Sequence, residues 1–271
     1  MGHITQPIRY YPLRFFGLVF LFSWLPWSVA AYLSYLPDMR QLTLVTALLG
    51  LLGPAVAAWV MLRTSGNSLL RQDYRSRVFA LKGITPSRLL IMLGLILIPL
   101  LAATWLSVLS GHSASQFAFS AGFLPMLPLA LIAALMEELG WRSYGVDSLR
   151  SVWGILLPTS LAFSGLWALW HLPLFFIHDT YQNQLWQAGG IYVANFFISM
   201  LPATILANWF YYRCQRSIPA AVLFHFALVM AAELMQTEPL TKCLWTMILL
   251  LVAALLIAIE QDLFLKAQPE N

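Results

Sequence analysis

The chain has 271 residues, of which 60% are hydrophobic and only 10% are charged, whereas an ordinary soluble domain carries about 25% charged residues. This composition excludes a soluble globular protein, because too few charges remain to cover a hydrated surface. The net charge of +4 is small and no run of Lys and Arg is interleaved with aromatic residues, so a nucleic-acid partner is excluded as well.

A helix that crosses a bilayer needs about 20 mostly apolar residues. Eight stretches meet this requirement, at roughly 15–36, 42–62, 89–109, 123–141, 153–175, 191–211, 218–236 and 243–260. Each is predicted to be an α-helix, since lipid offers no hydrogen-bond partner to an open backbone. The expected fold is an all-α polytopic membrane protein with about eight transmembrane helices. Gly53 and Pro54 predict a kink in the second helix.

The first stretch follows Arg9 and Arg14 and contains SVA at Ser28–Ala30, a sequence similar to a signal-peptide cleavage site. The apolar run continues to Leu36, however, and is longer than the roughly 7–15 residues of a signal peptide. We therefore predict a retained transmembrane helix.

Basic residues divide unevenly between the two sides of the membrane when the N-terminus is placed in the cytoplasm. The inner segments then hold 13 of the 15 Lys and Arg residues, namely Arg9, Arg14, Arg63, Arg71, Arg75, Arg77, Lys82, Arg88, Arg142, Arg150, Arg213, Arg216 and Lys266. The outer segments hold Arg40 and Lys242. The positive-inside rule predicts this orientation, with both termini cytoplasmic. A seven-helix count would place the C-terminus outside and blur the asymmetry.

The longest inner connection, 63–88, is basic and contains scattered Leu, Val and Phe. This pattern suits a helix that lies on the anionic inner leaflet. A solvated positive loop explains it equally well, and neither interpretation makes the segment catalytic.

Ionisable residues are few within the apolar stretches. They are Glu137, Glu138, Arg142, His171, His225 and Glu233. Such residues are costly in a membrane and are functional candidates by default. The alternative is a polar clasp between helices, but two Glu, one Arg and two His on three consecutive polar-bearing helices favour a site.

The spacing of these residues suits hydrolytic chemistry. Glu138 and Arg142 are four residues apart on a helix and can pair on one face. Glu137 points about 100° away and is free for another partner. A carboxylate in apolar surroundings can take a proton from water and later return it. His171 and His225 supply a second acid or base, or a donor to an oxyanion.

The same residues resemble a known family. EELGWR at Glu137–Arg142 is similar to the EExxxR motif of the CPBP family, the CAAX-protease and bacteriocin-processing group, also called the Abi family. WALWH at Trp167–His171, followed by LPLFF, resembles its second motif. SIPAAVLFH at Ser217–His225 resembles the approach to its third motif. The resemblance spans roughly residues 120–235 and implies an eight-helix intramembrane endopeptidase.

The resemblance also implies roles. Glu137 and His171 would activate water, His225 would donate to the oxyanion, and Glu138 and Arg142 would orient the site. Which Glu is the base stays open at this point. The tryptophans near the motifs are expected to wall the substrate cavity, namely Trp141, Trp167 and Trp170.

One residue departs from the family pattern. Four residues after His225, where the family has an Asn that helps to stabilise the oxyanion, stands Val229, which cannot donate a hydrogen bond. Loss of one oxyanion donor costs about 10²–10³ in rate. Asn195 and Asn208 in the sixth stretch are candidates for the substitute, and for each the alternative is a hydrogen bond between helices.

No cofactor is expected. Two Glu and two His could instead bind zinc through a His₂Glu set. The sequence HExxH and its inverted form are both absent, and the other histidines lie outside the spans and add no ligand-spaced pair. Zinc is therefore the alternative.

Depth in the membrane is a constraint on the site. At 1.5 Å per residue, His171 lies roughly 20 Å beyond Pro158, towards the outer half. Glu137, Glu138 and His225 are expected nearer the inner half. Hydrolysis requires these groups to converge.

The chain is expected to form one transmembrane domain over 1–271. Helices 1–3 occupy 1–120, the core with helices 4, 5 and 7 occupies 121–236, and the last helix and tail occupy 237–271. We expect an intramembrane endopeptidase of the bacterial inner membrane that cleaves a membrane-associated peptide or protein. Two alternatives stay open: a non-catalytic bacteriocin-immunity or scaffold protein of the same family, and a transporter with a proton relay.

Overall fold

The computed structural model describes residues 8–267, which form helices and no β-strand. The helices are α1 (Pro12–Leu33), α2 (Arg40–Leu51), α3 (Gly53–Thr64), α4 (Ser68–Val78), α5 (Pro86–Leu109), α6 (Leu127–Gly140), α7 (Val146–Trp153), α8 (Leu156–Trp170), α9 (Tyr181–Ala188), α10 (Gly190–Arg213), α11 (Ile218–Glu233), α12 (Pro239–Ile259) and α13 (Gln261–Phe264). Short 3₁₀ segments cover Ala114–Phe117, Ala121–Met126 and Leu172–Phe176. A π-helical turn, Trp141–Gly145, joins α6 to α7. The all-α prediction is confirmed.

Six helical stretches within residues 8–267 are long and apolar enough to cross a membrane. They are Pro12–Leu33, Pro86–Leu109, Ala121–Trp153, Leu156–Phe176, Gly190–Arg213 and Pro239–Ile259. The pair α2 and α3 adds a seventh if it is one bent span. The predicted stretch at 218–236 is α11, whose 16 residues extend about 24 Å, short of a hydrocarbon core of about 30 Å.

The predicted kink in the second stretch is confirmed. The axes of α2 and α3 differ by 43°, and Pro54 stands in the first turn of α3, where its missing N–H costs nothing. The bend lets the start of α3 pack against the end of α6. A Cβ built on Gly140 would lie less than 3.0 Å from backbone atoms of Pro54. Only glycine therefore fits at Gly140, directly before the π-helical turn.

Replacing Gly140 by alanine should lower the free energy of unfolding by roughly 1–3 kcal/mol, because backbone must move to admit the methyl group. The matched control is Gly165→Ala in α8, where a Cβ meets nothing within 4 Å. That change should raise helix stability by roughly 0.5–1 kcal/mol. Thermal unfolding of the two purified variants in detergent checks both signs. Equal melting temperatures would contradict the close packing of α3 on α6.

Contacts between connecting segments show which helix ends share a face. At one end of the bundle, Arg216 before α11 pairs with Asp73 of α4 at 2.9 Å. At the other end, His112 after α5 pairs with Glu238 before α12 at 2.6 Å. We call the end with Asp73 and Arg216 the basic face and the opposite end the far face. These ion pairs put the connections around Asp73 and Arg216 on one side of the bundle and those around His112 and Glu238 on the other, as the count of basic residues assumed. That the basic face is the cytoplasmic one stays a prediction.

The basic connection at 63–88 contains a helix, α4, whose N-cap residue Asn67 accepts a hydrogen bond from the backbone N–H of Leu70 at 3.0 Å. The interpretation as an unstructured loop is therefore wrong over Ser68–Val78. The charge count also needs a correction: Arg77 and Arg142 are 4% and 0% exposed and lie inside the protein, not in a solvated connection.

Two apolar cores flank the region of the predicted site. The first is aromatic and joins α1, the π-helical turn and α8 through Phe15, Phe16, Trp27, Trp141, Phe163 and Trp170. The second joins α5, α10, α11 and α12 through Ile96, Leu100, Phe210, Phe224 and Trp245. Outside them, Leu251 and Leu255 of α12 are exposed, as expected for a face in contact with lipid.

Candidate active site

A cavity of about 440 Å³ lies among α6, α8, α10, α11 and α12. Glu137, His171 and His225 all line it, together with Trp167. The separation in depth expected from helix rise is therefore wrong for this fold. Trp167, one turn before His171, reaches the carboxylate of Glu137, so α8 brings its C-terminal turn to the level of the Glu pair.

Glu137 is held by two indoles. Its Oε2 accepts hydrogen bonds from Nε1 of Trp167 at 3.0 Å and Nε1 of Trp141 at 3.2 Å. The residue is 6% exposed, and that exposure is to the cavity. Two donors fix the carboxylate without neutralising it by an ion pair. The second oxygen, Oε1, makes no hydrogen bond to another residue of 8–267 and is available to a water molecule.

Glu138 has a different environment. It is fully buried and does not line the cavity. Its Oε1 accepts from Nη1 of Arg142 at 2.7 Å, and Nδ1 of His225 lies 2.9 Å from the same oxygen. The predicted pair of Glu138 and Arg142 is thus present. The guanidinium also lies over the rings of Phe163 and Trp167, at 5.1 and 5.4 Å from their centroids, a favourable position for a buried cation.

The hydrogen bonds at Nδ1 orient both histidines. Nδ1 of His171 lies 2.7 Å from the carbonyl oxygen of Trp167, which can only accept, so Nδ1 carries the proton and Nε2 keeps its lone pair. The His171 ring packs edge-on against Trp170 and Phe196. Nδ1 of His225 donates to the carboxylate of Glu138 in the same way. Each ring leaves Nε2 for chemistry in the cavity.

This chain is similar in sequence to known proteins. A model of the Type II CAAX prenyl endopeptidase Rce1-like family matches residues 118–231. The protein named CAAX prenyl protease 2 from Methanococcus maripaludis is 35% identical over 262 residues, which cover 94% of this chain and 96% of that protein. The chain belongs to the Rce1-like CAAX prenyl endopeptidase family.

Family membership confirms the resemblance to the CPBP group that the three motifs indicated, and all three motifs lie within residues 118–231. The apolar helices and the family together indicate an integral membrane protein, and the family is one of proteases. The matched residues include α6, the π-helical turn, α8 and most of α11, the elements that carry the two Glu, Arg142 and both His.

The π-helical turn changes the backbone just after the Glu pair. Its wider hydrogen-bond ring inserts an extra residue into the helix, as often happens at functional sites. The carbonyl oxygens of Arg142 and Ser143 accept bonds from outside the helix: Nη2 of Arg77 lies 2.8 Å from the Ser143 oxygen, and the Tyr211 hydroxyl lies 2.9 Å from the Arg142 oxygen. The turn that positions Arg142 is therefore held by α4 and α10.

Arg77 belongs to a buried polar cluster that the sequence analysis missed. Its Nη1 lies 3.1 Å from Oδ2 of Asp147, and its Nη2 lies 2.7 Å from Oδ2 of Asp73. Arg216 pairs with both aspartates, and the Tyr211 hydroxyl lies 3.1 Å from Oδ2 of Asp147. Burial by itself lowers the pKa of Arg77, but Tyr211 and the aspartates raise it above its ordinary value. The available signal was Asp147, an unexplained acid five residues after Arg142.

Several cavity residues differ from the sequence prediction. Trp167, Trp170 and Asn195 line the cavity as expected. Trp141 does not, because its fully buried ring packs in the aromatic core while its N–H serves Glu137. Asn208 does not either: it is buried, and its Nδ2 donates to Oγ of Ser160 on α8 at 3.0 Å. The helix-to-helix alternative is the correct one for Asn208.

The far end of the cavity is polar. Lys242 of α12 lies 3.3 Å from Glu233 of α11, and its ammonium sits 4.7 Å from the centre of the Tyr181 ring. All three residues line the cavity. Glu233 therefore pairs with Lys242, and it makes no hydrogen bond to His225 that could tune that ring.

The zinc alternative requires three protein side chains grouped around one point. Among residues 8–267, no three side chains of His, Cys, Asp or Glu are grouped so that they could hold a metal ion. Cys214 and Cys243 are both free.

Proposed function

We propose that the protein is an intramembrane endopeptidase that hydrolyses a peptide bond of a membrane-associated substrate with a water molecule activated by Glu137 and His171. The observation that carries this proposal is the shared cavity, which brings Glu137, His171 and His225 together from three helices. Glu137, and not Glu138, is the proposed base, because Glu138 is buried away from the cavity and already holds Arg142 and His225.

In the proposed reaction, water binds between Oε1 of Glu137 and Nε2 of His171. Glu137 takes one proton as the water oxygen attacks the carbonyl carbon, and the carbonyl oxygen becomes an oxyanion. An imidazolium at His225 donates from Nδ1 to Glu138 and from Nε2 to that oxyanion. The proton on Glu137 then passes to the leaving nitrogen as the C–N bond breaks. No cofactor enters this sequence.

The cavity also suggests the length of the released peptide. Glu233 lies eight residues beyond His225 on α11, which is about 12 Å along the helix. An extended peptide spans about 3.3 Å per residue, so about three or four residues fit between the reacting carbonyl and Lys242. A relative is named CAAX prenyl protease 2, and removal of a short tail from a lipid-linked protein is the substrate class that we propose.

Asn195 is the proposed second oxyanion donor in place of Val229. Both residues line the cavity, and the side chain of Asn195 makes no hydrogen bond within residues 8–267, so it is free to donate to substrate. Asn195→Leu should lower kcat by about 10²–10³ with little change in KM, as expected for a donor that acts mainly in the transition state. Cleavage of quenched fluorescent peptides in phospholipid vesicles measures both constants.

The control is Asn208→Leu, which removes an equivalent amide outside the cavity and should leave kcat within a few-fold of wild type. Adding Val229→Asn to Asn195→Leu should restore part of the lost rate, because it returns a donor to the position four residues after His225. Full activity of Asn195→Leu would show that another group stabilises the oxyanion.

A non-catalytic immunity or scaffold protein is the alternative within the family. Val229, which cannot donate a hydrogen bond, favours that alternative. A non-catalytic role does not account for a carboxylate held by two indoles beside two oriented imidazoles. Placement in the inner membrane of a bacterium stays a prediction.

A further inference from the structure

A second cavity lies on the basic face, outside the proposed active site. It has a volume of about 350 Å³ and is formed by the end of α3 and one side of α4. Its lining residues are Trp59, Leu62, Arg63, Arg71, Tyr74 and Arg75. Three of these six are arginines and none is acidic, so this small volume concentrates positive charge.

The three arginines have no counter-ion among residues 8–267. Their side chains form no hydrogen bond and no ion pair there, and Arg63 only stacks over Trp59, 5.6 Å from the ring centre. Asp73, the acidic residue of α4, is occupied by Arg77 and Arg216 on the other side of the helix. Arg71 and Arg75 are four residues apart, a spacing at which like charges repel. Within residues 8–267, no acidic side chain therefore balances these three charges.

We propose that this cavity binds the phosphate of an anionic phospholipid headgroup. Guanidinium groups match phosphate oxygens in a bidentate fork, which makes arginine the preferred residue for phosphate recognition. Trp59 is 58% exposed near the end of α3, as is typical of tryptophan at a membrane–water boundary. Leu62 and the Trp59 ring supply an apolar wall for the glycerol end of the lipid. Basic pockets between the helices of membrane proteins bind anionic lipid headgroups.

Headgroup binding also affects the proposed active site, because α4 contacts the π-helical turn. The opposite side of this helix carries Arg77, whose guanidinium holds the carbonyl oxygens of Arg142 and Ser143 in the π-helical turn. An anion that bridges Arg63 on α3 to Arg71 and Arg75 on α4 fixes α4 against the bundle. It thereby stabilises the turn that presents Arg142 to Glu138. This second step rests on the proposed function, whereas binding itself does not.

The test measures binding of phosphatidylglycerol to the full-length protein in neutral detergent by native mass spectrometry, with phosphatidylcholine as the comparison lipid. The variant is R63Q/R71Q/R75Q. The control is R9Q/R14Q/K82Q, which removes the same charge from exposed positions on the same face. Each pocket arginine contributes about fivefold to affinity for an anionic lipid, so the pocket variant should bind roughly 10²-fold more weakly. The control should stay within a few-fold of wild type.

The proposal is overturned if wild type binds the two lipids equally, or if the pocket and control variants lose the same affinity for phosphatidylglycerol. Displacement of the lipid by millimolar inorganic phosphate would also overturn it, because the site would then bind a soluble anion. The coupling is tested by comparing peptide cleavage in vesicles of phosphatidylcholine alone with cleavage in vesicles that also contain about 30% phosphatidylglycerol. Both assays are run at about physiological salt, where exposed charges are screened. Activation by the anionic lipid should disappear in the pocket variant. Binding without activation would refute the coupling and leave the binding site intact.

Discussion

Glu137→Gln should reduce peptide cleavage by about 10²–10⁴-fold, the contribution typical of a positioned general base. Glutamine can still accept hydrogen bonds from Trp141 and Trp167 through its carbonyl oxygen, so the local packing is preserved. It cannot take a proton from water at neutral pH. The loss should therefore appear in kcat for quenched peptides in phosphatidylcholine vesicles, with the thermal unfolding temperature close to that of wild type.

Glu233→Gln is the matched control. Glu233 lines the same cavity, but its carboxylate pairs with Lys242 and not with Glu137, His171 or His225. It should keep kcat within about tenfold of wild type. If Glu137→Gln cleaves peptide at more than a tenth of the wild-type rate while Glu233→Gln does not, the assignment of the base is wrong. If neither wild type nor variant cleaves any peptide, the scaffold alternative gains support.

Glu138→Gln should destabilise the protein by about 3–5 kcal/mol, the cost of removing one partner from a buried ion pair. Glu138 is fully buried, and its Oε1 is shared by the guanidinium of Arg142 and the ring of His225. Loss of its charge leaves Arg142 buried with only the rings of Phe163 and Trp167 as compensation. Thermal and denaturant unfolding in detergent measure this change, and activity should fall with it because the partner that orients His225 loses its negative charge.

An exposed Arg–Glu pair provides the comparison for Glu138→Gln. Arg213 pairs with Glu260 at the end of α12, where the arginine side chain is 46% exposed. Glu260→Gln should cost about 1 kcal/mol or less, since solvent screens this pair. The hydrogen bond from Arg213 lowers the pKa of Glu260, so its small contribution is present at neutral pH and is lost as the pH falls through the folded-state pKa. Equal effects of the two substitutions would contradict the structural role of Glu138.

Much of the architecture follows from local properties of the sequence. Runs of about 20 apolar residues locate most of the helices, because burial in lipid depends on composition and length. The spacing of Glu138 and Arg142 is enough to predict their ion pair, since residues four apart on a helix are neighbours. Gly53 and Pro54 predict the bend in the second span, because glycine and proline alter the conformation of their own backbone.

The division of labour between the two glutamates depends on the tertiary structure. Adjacent residues on a helix differ only in direction, and rotation of α6 against α8 and α11 decides which of them faces the cavity. Trp141 is buried in the aromatic core and does not line the cavity, whereas the buried Trp167 does. Hydropathy does not report helix rotation when a helix is apolar on all sides, so Asn195 and Asn208 were indistinguishable until α10 was placed.

Local sequence patterns are enough to identify a helical membrane protein, to locate most of its helices and to single out the few polar residues in apolar surroundings, because each of these properties is encoded within a few neighbouring residues. The shared cavity of Glu137, His171 and His225 becomes visible only when the helices are packed together, as does the support that Arg77 of α4 gives to the turn after Glu138. The hydrogen bonds that hold the site join distant parts of the chain, from 30 positions between Glu137 and Trp167 to 87 positions between Glu138 and His225. They arise from helix packing, which no single segment of the chain specifies.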